Sequence, residues 1–262
     1  MALDDRAGPV LDVRDVALSF GGVRAVAGAR LQIRPGEIFG LIGPNGAGKT
    51  SLFNCLSGLY RPSGGSIRLN GREIAGLKPW RIRAAGVART FQNIGLVDEL
   101  TAFENILIGG HVAGPMGFVG SAVSWSARRE AELRAQAHRL CERLDLIGVV
   151  DALPADLPYG TQKQIELARA LMADPRVLLA DEPAAGLAHG EVAAFGRLLA
   201  ELRAERGLTI VLVEHHMGLI NAICDRIAVM ESGRIIAVGS PAEIAADSAV
   251  RAAYLGAPET SA

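Results

Sequence analysis

The sequence predicts an α/β fold in which a mostly parallel sheet is covered by helices on both faces. Three observations predict it. Residues 37–42, 177–180 and 209–213 are short apolar runs with the length and continuity of strands buried on both sides. Stretches of helical apolar spacing alternate with these runs, which is the order of a parallel sheet with crossover helices. Each run ends in residues able to do chemistry: Gly43 onward, Asp181-Glu182 and His215. Ligands of such sheets gather at the carboxyl ends of the strands.

The first of those ends carries the most information. Gly43, Pro44, Asn45, Gly46, Ala47, Gly48, Lys49 and Thr50 read GPNGAGKT, matching G-x-x-x-x-G-K-[ST] at every fixed position. A strand precedes the motif, and Lys49, Thr50 and Ser51 open a run of helical apolar spacing after it. Glycines let successive N–H groups converge on one anion, and the helix adds its positive end. Lys49 is then expected to reach the β- and γ-phosphates of a nucleotide, and the Thr50 hydroxyl to bind Mg²⁺.

Bulk properties narrow the class. The chain has 262 residues, half of them hydrophobic, enough for one large domain or two small ones. A formal net charge of −1 gives no electrostatic footprint for nucleic acid. Cys55, Cys141 and Cys224 lie far apart and have neither disulfide-framework nor metal-ligand spacing, so reduced thiols in a cytosolic protein are expected. The start, MALDDRAGPV, is acidic and lacks the apolar stretch of a signal peptide. No apolar run approaches ~18 residues, so a membrane role must come through a partner.

The remaining elements follow in order. Residues 10–20 alternate apolar and polar, Gly21-Gly22 makes a turn, and residues 25–33 form a second strand, an antiparallel beginning. Phe20, just upstream of the phosphate loop, is placed either to stack on an adenine ring or to fill core; spacing leaves both open. Residues 66–69 form a strand closed by Asn70-Gly71, a strong hairpin pair. Residues 87–92 form another, running out to Gln92. A helix over 101–109 has Thr101 as N-cap and Glu104 in the capping-box position. The uncharged, glycine-rich residues 110–124 read as a flexible loop, and 125–146 as a charged helix with Leu133, Ala137, Leu140 and Leu144 on one stripe. Helices are expected over 163–172 and 190–206, strands over 226–230 and 234–238, and a last helix after Ser240-Pro241-Ala242-Glu243.

Two adjacent acids after four apolar residues are unusual to bury. Neighbours on a strand point in different directions, so Asp181 suits the Mg²⁺ shell while Glu182 polarises a water for attack on the γ-phosphate. His215 is either a hydrogen-bond donor to a γ-phosphate oxygen or an ordinary structural histidine. Gln92 is a candidate Mg²⁺ or water contact. His111, His138, His189 and His216 show no paired spacing.

In these residues the chain resembles, over roughly 10–256, the nucleotide-binding subunit of an ATP-binding-cassette (ABC) transporter. GPNGAGKT resembles Walker A, Gln92 falls at the Q-loop, and Leu157, Pro158, Tyr159, Gly160, Thr161 and Gln162 resemble the signature usually written LSGGQ. Residues 177–182 resemble Walker B with its catalytic glutamate, Ala185-Gly186-Leu187-Ala188 the D-loop, and His215 the switch histidine. The resemblance implies a single ABC ATPase domain over 1–262: a core from about 10–95 and 165–256 with an antiparallel β part, and a helical subdomain over about 96–164. It implies ATP and Mg²⁺ as ligands, with metal contacts from Thr50, Gln92 and Asp181. It also implies two cassettes facing head to tail, each ATP lying between one phosphate loop and the opposite signature. Integral membrane permeases, an extracytoplasmic solute-binding protein and a peripheral place on the cytoplasmic face of the membrane complete the expectation.

The EPAAGL run, VEHHM, the wide segment before the signature and Ala253-Tyr254-Leu255-Gly256 narrow the resemblance to ATP-binding subunits of branched-chain amino-acid importers. Urea and amide importers share much of this pattern, and a lipopolysaccharide-exporter ATPase would lack the long 110–130 insertion. A soluble translation type would carry two cassettes, and a repair type a long coiled coil. A P-loop kinase would leave the signature stretch unexplained. Two positions depart from the family pattern. Pro158 stands where a signature serine would contact the γ-phosphate across the interface, and proline offers neither hydroxyl nor N–H. The D-loop ends in Ala188 rather than Asp or Asn. If the partner cassette is different, it is expected to supply the stronger half.

Overall fold

The period-two alternation of strand side chains organises the molecule. In the computed structural model, which describes residues 8–91, 94–111, 127–248 and 250–251, a six-stranded sheet separates two apolar clusters. Along β3 (Ile38–Ile42), Ile38 and Ile42 enter one cluster and Phe39 and Leu41 the other. β7 (Val177–Asp181) sends Leu178 and Ala180 to the first side and Val177 and Leu179 to the second. β8 (Thr209–Val213) divides Ile210 and Leu212 from Val211 and Val213 in the same way. Each such Val, Leu, Ile or Phe side chain, fully buried, is worth roughly 1.5–3 kcal/mol.

The expected α/β class, with a mostly parallel sheet and an antiparallel part, is what the chain adopts. The order of the large sheet is β10-β9-β3-β8-β7-β6, with β6 (Val87–Thr90) and β9 (Arg226–Glu231) parallel to their neighbours. Only the edge strand β10 (Arg234–Gly239) runs antiparallel, paired to β9. A second, antiparallel sheet has the order β2-β1-β4-β5, from β1 (Leu11–Phe20), β2 (Val23–Ile33), β4 (Gly64–Leu69) and β5 (Arg72–Glu73). Asn70 and Gly71, both at positive φ (48° and 77°), make the tight turn between β4 and β5.

The second cluster fills the space between the two sheets together with α1 (Lys49–Leu56). The first lies under α3 (Ala102–His111), α4 (Ala127–Arg143), α5 (Tyr159–Leu171) and α6 (His189–Arg206). The anticipated stripe of α4 is buried: Leu133, Ala137, Leu140 and, just past its end, Leu144. Thr101 and Glu104 close the capping box of α3, and Ser240 and Glu243 that of α8 (Pro241–Ala246).

Several boundaries differ from expectation. α5 starts at Tyr159, four residues before Lys163, so Tyr159, Gly160 and Thr161 form its first turn. The physical reason is Pro158, whose fixed φ (−54°) suits an N-cap and whose carbonyl accepts the Gln162 N–H at 3.1 Å. Two short helices were not anticipated, α2 (Pro79–Ala84) and α7 (Met217–Ile223). Gln92, residues 112–124 of the glycine-rich stretch, Trp125 and residues 253–256 lie outside the described residues. Among the described residues no helix is long and apolar enough to cross a membrane.

Candidate functional site

The segment between β3 and α1 bends where only glycine fits. Gly43 and Gly48 have φ of 157° and 102°. A Cβ on Gly43 would sit 2.1 Å from the Met230 carbonyl oxygen, and one on Gly48 2.2 Å from that of Ala25. Both approaches reflect how the loop is pinned. The Gly233 N–H, in the β9–β10 turn, donates to Ala47 O (2.8 Å), and the Ala27 N–H of β2 donates to Gly233 O (2.7 Å). The loop therefore hangs between the two sheets rather than floating above one.

The α1 hydrogen-bond ladder starts with the Leu52 N–H on Gly48 O at 2.9 Å, leaving the amides of Lys49, Thr50 and Ser51 to point outward. Lys49 is buried, and its Nζ donates to the carbonyls of Gly43 (2.7 Å) and Pro44 (3.0 Å). Burial pushes its pKa below the ordinary lysine value, and the carboxylates of Glu182 and Asp181 work against that shift. The ammonium is thus held inside the loop, facing two carboxylates.

Those carboxylates come from the end of β7. Asp181 is buried, and its Oδ2 accepts from Arg89 Nη2 at 2.6 Å. Glu182 adopts the left-handed conformation (φ 46°), a strain of order 1–3 kcal/mol for a residue with a side chain. The two carboxylates go to different partners, Asp181 to Arg89 and Glu182 to His215. The Glu182 N–H stays on Val213 O (2.9 Å) and its Oε1 lies 3.3 Å from His215 Nε2. His215 follows β8, and the buried Glu214 before it accepts the N–H groups of Ala184 (2.7 Å), His215 (2.9 Å) and His216 (3.1 Å). One carboxylate so ties the ends of β7 and β8 together.

These elements enclose a cleft of about 380 Å³ lined by Asn45, Gly46, Ala47, Gly48, Lys49, Thr50, Ser51, Glu182 and His215, with Val23, Arg24 and Ala25 on one wall. Gly43, Pro44 and Asp181 are not among its lining residues, though each joins the network through Lys49 or the strand end. Phe20 is absent from this lining too: it is half exposed, with its ring edge-on to Tyr60 at 5.2 Å. Leu157, Pro158, Tyr159, Gly160 and Thr161 are not brought to the cleft either. Gly160 and Thr161 line a separate hollow between α4, α5 and α6, and the Tyr159 ring lies over Gly186.

Four residues that sequence reasoning passed over are built into this network: Arg89, Lys163, Glu166 and Glu214. Glu166 is buried on α5 and accepts the Phe91 N–H at 2.9 Å, tying the end of β6 to that helix; its burial raises its pKa. Lys163, buried beside it, has its pKa lowered by the same desolvation. A charged residue on an otherwise apolar helix face was the available signal for Lys163 and Glu166. His216, given no role, accepts the Leu219 N–H through Nδ1 (3.1 Å) and caps α7.

The arrangement fits a phosphate chain and a hard cation. Converging loop amides, three outward amides of α1 and a buried ammonium are anion donors, and a Cβ at Gly43 or Gly48 would destroy the cradle. The Thr50 hydroxyl and the Asp181 carboxylate are the oxygen ligands Mg²⁺ prefers.

Known proteins share this construction. The ABC transporter family profile matches residues 26–185, and a branched-chain amino acid ATP-binding cassette transporter profile matches residues 234–260. The chain is 42% identical, over 95% of its length and 98% of the relative's, to the high-affinity branched-chain amino acid transport ATP-binding protein BraF of Pseudomonas aeruginosa. It is 40% identical to LivG of Escherichia coli, a protein of the same description, over 95% of this chain and 98% of the relative. Among solved structures, a nucleotide-free ATP-binding cassette from an ABC transporter superposes with a TM-score of 0.84 at 29% identity, covering 95% of this chain and 99% of that one. With a phosphate loop, a strand-end glutamate and a histidine around one cleft, and kinship along nearly its whole length, the chain belongs to the ABC transporter family, among its branched-chain amino acid ATP-binding cassettes.

Proposed function

We propose that the chain is the ATP-hydrolysing motor of an importer for branched-chain amino acids. The observation that carries the reading is the single cleft shared by the phosphate loop, Glu182 and His215. On this reading Lys49 exchanges the carbonyls of Gly43 and Pro44 for β- and γ-phosphate oxygens, and the loop amides take the remaining charge. Thr50, Asp181 and Gln92 would hold a Mg²⁺, which when bound would supply positive charge against the phosphate oxygens. Glu182 orients the attacking water and accepts its proton, while His215 steadies the Glu182 carboxylate and hydrogen-bonds a γ-phosphate oxygen.

Transport follows from assembly. A second cassette, identical or different, presents its signature helix to this phosphate loop, and this chain presents Leu157, Pro158, Tyr159, Gly160 and Thr161 in return. With Pro158 as N-cap, the first-turn amides of α5 at Tyr159, Gly160 and Thr161 are the donors available to the opposite nucleotide. ATP favours the closed pair because it has more contacts there, and hydrolysis removes that difference. Permease subunits in the membrane take up the motion, and an extracytoplasmic binding protein delivers solute. The relatives' names supply the solute class.

The test is reconstitution with candidate permeases and binding protein in liposomes. ATP turnover is expected to rise with leucine, isoleucine or valine on the binding protein; stimulation by urea or a short amide alone refutes the solute assignment. The chain by itself is expected to turn over weakly because Pro158 and Ala188 impoverish its half of the interface. Full turnover without any partner, abolished by Glu182→Gln, refutes that asymmetry. Phe20, exposed beside Tyr60, is proposed to stack the adenine. Phe20→Ala is then expected to weaken binding of an ATP analogue about fivefold, ~1 kcal/mol, in a fluorescence titration.

A further inference from the structure

Three elements meet at one buried guanidinium. Arg89, on β6, donates through Nη1 to Asn54 Oδ1 (2.7 Å) and Ser57 Oγ (2.8 Å) of the last turn and C-cap of α1. Through Nη2 it donates to Asp181 Oδ2 (2.6 Å) at the end of β7. The side chains of Arg89 and Asp181 are only 7% and 4% exposed. The rings of Phe91 and Phe53 stand 5.1 and 5.8 Å from the guanidinium, and Nε is buried without a hydrogen-bond partner among the described residues. Such a pair is a poor device for stability, because apolar residues of like volume usually serve as well. What it does supply is orientation: a rigid guanidinium anchored through Nη1 on Asn54 and Ser57 holds one oxygen of the Asp181 carboxylate in place through Nη2.

We propose that Arg89 is a positioning residue for Asp181 and, through it, for the divalent cation of the bound nucleotide. Gripping Oδ2 sets where Oδ1 lies. Bonding Asn54 and Ser57 keeps that carboxylate in register with Thr50, which sits at the other end of the same short helix. The phosphate-loop helix and the strand-end acid are therefore aligned by one side chain from a third element. This inference rests on the assignment of Asp181 to the metal side of the site. Pure electrostatics predicts the opposite sign, since deleting a nearby positive charge would strengthen cation binding. The sign of the effect decides between orientation and charge.

The experiment titrates the full chain with a fluorescent ATP analogue in EDTA and across a Mg²⁺ series. In the parent, nucleotide affinity is expected to rise with Mg²⁺, and Asp181→Asn to flatten that rise. Arg89→Met is expected to need about tenfold more Mg²⁺ for half the rise, the size of a lost outer-shell partner, with affinity in EDTA within about twofold of the parent. Arg89→Lys, which keeps the charge but not the fork, should fall between. A Mg²⁺ requirement unchanged or lowered in Arg89→Met, with the fold intact by circular dichroism, overturns the proposal. If Arg89→Met does not fold, Arg89→Lys decides by the same criterion. If Asp181→Asn leaves the parent's Mg²⁺ dependence untouched, the Asp181 assignment fails, and the role given to Arg89 fails with it.

Discussion

Glu182→Gln is expected to cut ATP hydrolysis by about 10²–10⁴-fold, the usual contribution of a positioned general base, while nucleotide stays bound. The substitution keeps the size and shape of the side chain and its left-handed backbone, and removes only the proton acceptor. Nothing that grips the phosphates is touched. Lys49 keeps its place in the loop, and the outward amides of α1 are unchanged. Removing a negative charge from the cleft should, by sign, favour a triphosphate rather than repel it. In the assembled pair the variant is therefore expected to hold ATP and remain closed. Single-turnover phosphate release, read beside size-exclusion chromatography with ATP, separates the two halves of the claim. Hydrolysis within about twofold of the parent removes Glu182 from the role of base.

How much of this site could be read from the chain depended on the distance over which each part is specified. The phosphate loop and its flanking strand and helix are contiguous, so motif and context agree within fifteen residues or so of each other. Asp181 and Glu182 were visible because two acids after an apolar run break a local pattern. Arg89 was not, because its meaning lies in a partner 92 positions away and in Asn54 and Ser57 on another element. Glu166 and Phe91 are separated by 75 positions and were hidden for the same reason. The start of α5 was missed because Pro158 and Gly160 read locally as turn residues. In the fold, Pro158 is an N-cap and Gly160 sits in the first turn, tight against Glu191. α7 begins at a histidine cap, a residue that carries little helix-start signal. Strand signals fared better: the continuous apolar runs of β3, β7 and β8 report two-sided burial directly, which a parallel sheet between two cores requires.

Lys49→Ala is expected to lower nucleotide affinity by about 10²–10³-fold and to remove turnover at any practical ATP concentration. The ammonium donates inside the loop, with two bonds of 2.7 and 3.0 Å to carbonyl oxygens. Charge-assisted bonds to phosphate contribute roughly 1.5–3 kcal/mol each, so losing two of them accounts for the fall. The same bonds explain why this lysine, rather than a surface one, is suited to the task. Burial has already stripped most of its water and lowered its pKa, so the desolvation cost of meeting a phosphate is largely met in the folded chain. The exchange of carbonyl oxygens for phosphate oxygens then replaces two neutral acceptors with charged ones, a gain that appears only when nucleotide arrives. Lys49→Arg is the sharper control. It keeps the charge, but a planar fork does not fit a pocket formed by two carbonyls within a turn of each other, so affinity should stay far below the parent. Equilibrium titration with an ATP analogue reads both variants. Binding by Lys49→Ala within about threefold of the parent means that the amide cradle alone holds the phosphates, and the ammonium is then a structural plug for the loop.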